Sequence, residues 1–443
     1  MENPIKVSCG MTLPPKAYID ALLRLRPGAF KTNVSLLVSL AKEFSGKDRK
    51  TLVLPQDAVR GGDCGSLNSH PAFVASLKKA ETVFRKALGK LSRAPKIVYE
   101  SVAPSPRSCS APCASKNAMA LPFLDGEGPD PRFPFCGRPD EVFLRQTVGL
   151  ARRLASIGCK DVVVGLSGGL DSALTLLVSF AAFRLLGLDE KGIHVYTMPG
   201  FGTTRRTRGN ADMLAEGLGL RLETIDITAA CRQHFKDIRQ SFRRHDVTFE
   251  NAQARERTQI LMDKANQLDA IVLGTGDMSE IALGWCTYNG DHMSMFGVNA
   301  GVPKTVVREI CRWWALEHPG LAADALLDIV ATPVSPELLP AKSGKIAQKT
   351  EDKVGPYELH DFFIWRFAAR NESPAQILSA AGKAFKGQYD AATLKKWLQV
   401  FLSRLHRQAF KRNCAPDGVR IFGVYFSPDA WHVPSDVSDE WLR

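Results

Sequence analysis

Residues 162–172 read Val162-Val163-Val164-Gly165-Leu166-Ser167-Gly168-Gly169-Leu170-Asp171-Ser172. The β-branched run has the character of a buried parallel strand. It ends in a small-residue loop, and an apolar helical pattern (Ala173, Leu174, Leu176, Leu177) follows at once. Strand, glycine loop and helix N-terminus together make a phosphate cradle. Glycines let backbone N–H groups approach an anion, and the helix dipole favours negative charge there. No Gly-Lys-Ser/Thr follows, so this is not the Walker loop. Asp171 instead places a carboxylate where Mg²⁺ on a pyrophosphate needs one. A lone Ser-Gly-Gly could be a tight turn whose side chains only cap the helix. The whole pattern after a strand favours the phosphate reading.

The surrounding composition is that of an ordinary globular protein. The chain has 443 residues, 45% hydrophobic and 23% charged, a length expected to hold two or three domains. The apolar run after the loop is broken by Arg184 and is too short for a bilayer span. No apolar leader is visible at the start, so no secretory signal is expected. The ten cysteines are scattered, without the paired spacing of a zinc site. They suit a reducing cytoplasm, which is the expected location. A net charge of +12 attracts polyanions. Charge alone does not choose between nucleic acid and polyphosphate nucleotides.

Residues 1–103 alternate in α/β fashion, with strands expected near 5–9, 51–54 and 97–102 and helices at 33–44 and 73–91. Residues 104–138 are rich in Pro, Ser, Gly and Cys and read as a linker. From 139 to 443 the periodicity returns. A helix over 141–157 feeds the strand at 162. Helix 171–187, strand 193–198, helix 209–218 and strand 222–226 follow, then a long helical, charged section over about 229–268 and a strand at 270–273. This is the grammar of a doubly wound parallel sheet, whose ligands sit beyond the carboxyl ends of the strands.

Gly274-Thr275-Gly276-Asp277-Met278-Ser279-Glu280 repeats the recipe of the first loop. If both loops face one crevice, Asp171 and Glu280 can share a Mg²⁺. The next stretch, 284–295, interleaves Trp285, Cys286, Thr287, Tyr288, Asn289, Asp291 and His292 with two glycines. Such polar density beside aromatics suits a ring-bearing ligand better than a core, where polar groups need partners.

These motifs, with Val298-Asn299-Ala300-Gly301-Val302-Pro303-Lys304-Thr305, the stretch 354–363 (VGPYELHDFF), Ala409-Phe410-Lys411-Arg412 and Pro434-Ser435-Asp436, resemble the synthetase domain of NAD synthetases, N-type ATP pyrophosphatases. The form resembled is the one joined to a glutaminase domain. The resemblance implies that deamido-NAD attacks ATP through its nicotinate carboxylate, giving an adenylate and pyrophosphate. Ammonia then displaces AMP to give NAD. Gly165, Leu166, Ser167, Gly168, Gly169, Leu170, Asp171, Ser172 and Thr275 would bind ATP, and Asp171 and Glu280 would hold Mg²⁺. Asn251, Glu280, Trp285, Cys286, Thr287, Tyr288 and Lys411 would meet deamido-NAD. Lys304 would neutralise phosphate charge, and Asp171, Glu280 and Lys304 form the catalytic set. A homo-oligomer, at least a dimer, is also implied. Neither nucleic acid nor membrane is expected as a partner.

The front of the chain departs from the family pattern. Residues 1–103 resemble the start of a nitrilase-like domain, shortened. The position of its general-base glutamate holds Gln56, which cannot accept a proton at neutral pH. Cys64, Cys109 and Cys113 lie in no nucleophile context. A degenerate domain and free ammonia as nitrogen source are therefore expected. Glutamine, handled by the chain itself or by a partner, is the alternative. A tRNA-modifying adenylating enzyme is a second alternative, but it leaves residues 284–295 without a purpose. A non-catalytic nucleotide-binding scaffold is a third, and the intact Asp171 and Glu280 argue against it.

Overall fold

A computed structural model describes residues 138–332, 338–339 and 350–427, together with three strands nearer the start of the chain. The helices expected at 33–44 and 73–91, Gln56, the linker 104–137 and the late motif 434–436 lie outside the described residues. Contacts divide the chain into two units, 1–112 with 181–189, and 113–180 with 190–443.

In the first unit, β1 (Pro4–Lys6), β2 (Thr51–Pro55) and β3 (Lys96–Glu100) pair in parallel in that order.

Among its described residues the second unit opens with α1 (Pro139–Ile157) and β4 (Val162–Gly165). Helix α2 (Leu170–Leu186) follows. Then come β5 (Ile193–Thr197), α3 (Arg205–Gly217), β6 (Leu222–Thr224), α4 (Thr228–Asp237) and α5 (Val247–Leu268). Strand β7 (Ile271–Gly274), the short α6 (Met278–Leu283), β8 (Phe296–Gly297), α7 (Lys304–Glu317) and α8 (Leu321–Ala331) complete the α/β part. Among the described residues the chain then turns all-helical, with α9 (Thr350–Val354), α10 (Tyr357–Ile364), a π-helical turn (Trp365–Ala369), α11 (Pro374–Ala384), α12 (Ala391–Arg407) and α13 (Ala409–Arg412).

The sheet is parallel in the order β6-β5-β4-β7-β8. Val162, Val163 and Val164 of the central strand are fully buried, as helix-covered parallel strands must be. From β4 the chain steps to β5 and β6 on one side, then returns to place β7 and β8 on the other. The winding therefore reverses between β4 and β7. That is the point where a doubly wound sheet opens a crevice beyond its strand ends. The two loops singled out in the sequence flank it. The edge beyond β8 is covered by backbone: Gly297 N donates to Asp417 O (2.7 Å) and Val419 N to Gly297 O (3.1 Å).

The helical section 229–268 holds two helices, α4 and α5. Asp246 accepts from the N–H groups of Thr248 (3.0 Å) and Phe249 (3.2 Å), an N-cap that starts α5 afresh. The rings of Phe201, Phe235, Phe242 and Phe249 pack around this break. No helix among the described residues is long and apolar enough to cross a membrane.

Candidate active site

The first loop leaves β4 through Gly165 and Leu166, whose N–H donates to Tyr196 O (2.8 Å). Its hydroxyls are knitted to its own backbone. Ser167 N donates to Ser172 Oγ (3.2 Å), Gly169 N to Ser167 Oγ (3.2 Å), and Ser172 Oγ to Gly169 O (3.1 Å). Gly168 has φ +82°, and a Cβ there would lie 2.0 Å from Thr207 O at the start of α3. A side chain is excluded on both counts. Gly168→Ala is expected to cost about 1–2 kcal/mol in left-handed backbone alone, and to push loop and α3 apart. A lower melting temperature is the expected result, and a wild-type melting temperature would refute this account of the loop.

Across the crevice, Asp277 caps α6, accepting from Glu280 N (2.8 Å). The cap fixes the direction of that helix and so aims Glu280. From the next helix, Lys304 brings its ammonium between the loops. Its Nζ lies 2.6 Å from Asp171 Oδ2, 2.7 Å from Asp277 Oδ2 and 2.9 Å from Glu280 Oε1. Its far side faces the Tyr357 ring, 5.1 Å from the centroid. Lys304 and Asp277 are almost wholly buried. The side chains of Asp171 and Glu280 keep 20% and 21% of their exposure, so these two form the open side of the cage.

The electrostatics follow from burial and crowding. Burial opposes the Lys304 charge, but the three carboxylates outweigh it and hold the ammonium well above its ordinary pKa. Burial, with Glu280 and Asp171 as like-charged neighbours, raises Asp277 despite Lys304. Burial also raises Glu280 to about 7, against the pull of Lys304 and with the push of Asp171. With all three carboxyls ionised, one ammonium among them leaves two negative charges, the amount a divalent cation cancels. One oxygen from each of Asp171, Asp277 and Glu280 lies within 4.8 Å of the others. Asp171 Oδ1 is buried without a hydrogen-bond partner. A hard, oxygen-only donor set with an unused acceptor fits Mg²⁺.

A second layer holds the cage. Asn299 is fully buried, and its Nδ2 reaches Asp171 O (2.9 Å), Thr275 O (3.0 Å) and Thr175 Oγ1 (3.1 Å). One amide thus ties the first loop to the second. Asp361 of α10 accepts from Thr305 N (2.9 Å), Thr305 Oγ1 (2.6 Å) and Ser279 Oγ. Ser279 Oγ also accepts from Lys304 N (2.9 Å). Burial raises the Asp361 carboxyl to about 6, although each of these donors favours its charge. Glu280 also opens onto a cavity whose lining includes Thr275, Asp291, His292, Ser294 and Lys411.

Residues 143–406 match the NAD synthase family. A glutamine-dependent NAD(+) synthetase of Mycobacterium leprae is 37% identical over 329 residues, spanning 68% of this chain and 48% of its own length. The chain belongs to the NAD synthase family. A glutamine-dependent NAD(+) synthetase of Thermotoga maritima is 30% identical over 304 residues, with the same coverage of 68% and 48%. The chain spans about half the length of the curated relatives it matches. A solved structure of a glutamine-dependent NAD(+) synthetase from Cytophaga hutchinsonii shares the fold. Its TM-score is 0.58 at 18% identity, over 70% of this chain and 56% of that one.

Within this NAD synthase domain the expected residues fall into two groups. Asp171, Glu280 and Lys304 meet directly in the cage. Cys286 and Lys411 line one cavity with Glu280, and Trp285 N donates to Glu280 O (2.9 Å). Thr287 Oγ1 donates to Asn251 Oδ1 (2.8 Å), and the Trp285 ring lies under the Arg404 guanidinium (5.3 Å). Lys411 Nζ donates to Gly284 O (2.9 Å) and Cys286 O (2.6 Å), so its charge rests on backbone carbonyls. Arg206, one of three arginines after β5, forks onto Asp328 of α8 (2.6 and 2.8 Å).

Sequence reasoning passed over Asp277, Asn299, Tyr357 and Asp361. Asp277 carried a usable signal, an aspartate at a strand end one residue before a helix, the N-cap position. Asn299 and Asp361 lie inside quoted motifs, but their work is done through residues far away in the chain, which no local spacing shows.

Proposed function

We propose that the chain catalyses ATP-dependent amidation of deamido-NAD to NAD, with free ammonia as the nitrogen donor. The observation that carries this reading is the Lys304 cage at the switch point, with the 284–295 stretch beside it. The nicotinate carboxylate attacks the α-phosphorus of ATP, and the bond to pyrophosphate breaks. Ammonia then adds to the acyl carbon, AMP leaves with the bonding electrons, and NAD forms. The substrate supplies the nucleophile, so the protein's task is positioning and charge. The loop 167–169, whose Ser167 and Ser172 hydroxyls hold its Ser167 and Gly169 N–H groups, and the N-terminus of α2 receive the leaving pyrophosphate. Lys304 sits between the loops among Asp171, Asp277 and Glu280 and tempers the charge these carboxylates present to the triphosphate. Asp171 and Glu280 would hold Mg²⁺, which supplies charge neutralisation on the triphosphate. The stretch 285–288, with Asn251 and Lys411, forms the deamido-NAD side. A homo-oligomer of at least two copies belongs to this reading.

The choice of ammonia rests on Gln56, which directly follows β2 and cannot serve as a base. In this reading residues 1–103 are a nitrilase-like domain without glutaminase chemistry, joined through 104–138 to a synthetase domain over 139–443. The test measures NAD formation and AMP release from deamido-NAD, ATP and Mg²⁺ with ammonium or glutamine. Ammonium is expected to support turnover, and glutamine is not. Efficient use of glutamine by the purified chain overturns the nitrogen assignment. Pyrophosphate release that does not require deamido-NAD overturns the reaction itself.

A further inference from the structure

A thiol and an imidazole that the proposed reaction does not use lie together beside the cavity. Cys414 Sγ is 3.4 Å from His292 Nε2. On the opposite side of the ring, His292 Nδ1 is 3.0 Å from the carbonyl oxygen of Thr287. A carbonyl can only accept, so Nδ1 carries the ring proton and Nε2 turns a lone pair toward the thiol. The Tyr288 ring stacks on the imidazole at 5.6 Å and 25°. Burial holds His292 below the ordinary imidazole pKa, so the ring is in its neutral, basic form near pH 7. Nucleophile, base and orienting acceptor are thus in line, the arrangement that activates a thiol.

Two further observations bear on a ligand. His292 and Ser294 line the same cavity, with Ala415 and Pro416 from the Cys414 loop. Ser294 is 8% exposed, and its buried hydroxyl has no hydrogen-bond partner. Cys159 provides a contrast. It is half-buried like Cys414, and each Sγ meets two carbonyls, those of Asp161 (3.1 Å) and Asp269 (3.8 Å) for Cys159 and of Lys411 (3.2 Å) and Phe410 (3.9 Å) for Cys414, so the His292 imidazole is what sets Cys414 apart.

We propose that Cys414 is a modification site for small disulfides, with His292 as its base. The Cys414 proton passes to His292 Nε2, and the thiolate attacks one sulfur of the disulfide. A new S–S bond forms to Cys414 as the old one breaks. The departing thiolate takes the proton from the imidazolium and leaves as a free thiol. The adduct pulls Cys414 away from His292 and from Lys411 O, which its Sγ meets at 3.2 Å. It thereby disturbs the helix that presents Lys411. Its effect on activity rests on the deamido-NAD reading above, whereas the reactivity itself does not.

The test exposes the full chain to oxidised glutathione and follows the adduct at each cysteine by mass spectrometry. The Cys414 adduct is expected to form at least about tenfold faster than that on Cys159. His292→Gln is expected to bring Cys414 down to the Cys159 rate, with its fold checked by melting. Equal rates for the two cysteines in the wild type overturn the proposal, and that comparison needs no variant. An unchanged Cys414 rate in folded His292→Gln overturns the assignment of the base. Saturating modification is further expected to raise the KM for deamido-NAD, reversibly with dithiothreitol and not in Cys414→Ser. An unchanged KM overturns the regulatory consequence. Adduct kinetics still decide the reactivity should the chain lack synthetase activity.

Discussion

Lys304→Met is expected to unfold at a markedly lower temperature and to lose turnover. The ammonium is the cation shared by three carboxylates, two of them within 2.7 Å of it. Removing one partner from a buried ion cluster costs about 3–5 kcal/mol, because the partners keep their charge without compensation. The carboxylates would then take up protons. The sign of the pH dependence follows: carboxyl pKa values raised above their unfolded values stabilise the fold at low pH, and this stability is lost as pH rises. The deficit of Lys304→Met is therefore larger at pH 8 than at pH 5. Millimolar Mg²⁺ should return part of it, since a divalent cation can replace the lost positive charge. Thermal melts of both proteins, with EDTA and with Mg²⁺, check this. Equal midpoints in EDTA at pH 8 would show that the cage contributes nothing to the fold.

Glu280→Gln is expected to give the opposite signature, with stability kept and activity lost. The cage carries more negative charge than one ammonium balances, and Glu280 shows it, with a carboxyl raised to about 7. Its folded pKa lies above the ordinary 4.5, so its favourable contribution is complete below about 4.5 and is lost as pH rises through 7. Glutamine lacks that titration. The variant should match the wild type near pH 5 and melt higher near pH 8. An amide oxygen is a poor substitute for a carboxylate toward Mg²⁺, so kcat/KM should fall by about 10²-fold or more. In the wild type, the Mg²⁺ needed for half-maximal rate should rise as pH drops below about 7. Wild-type turnover by Glu280→Gln would remove Glu280 from the catalytic set.

The fold was legible wherever local pattern and topology agree. Three adjacent valines, a glycine loop and an apolar helix marked β4 and α2 without ambiguity. The alternation that followed placed β5, β6 and β7 to within one or two residues. At 229–268 the pattern marked helix but not the break between α4 and α5, which only the Asp246 cap and its phenylalanine cluster reveal. For the site, the two loops were readable because each is a contiguous recipe. The seating of Lys304 was not, since the lysine was expected against phosphate and lies instead among carboxylates. Its place depends on Asp277, hidden in a motif read for Thr275 and Glu280, and on Tyr357, which closes in from residues far along the chain. Both are matters of packing between distant segments, which no periodicity encodes.

Asn299 carries a mechanical consequence. A single amide grips the backbone at Asp171 and at Thr275, and Gln146 Nε2 anchors its own oxygen at 2.9 Å. The two jaws of the crevice are thereby clasped together, and any motion that parts them must first break these bonds.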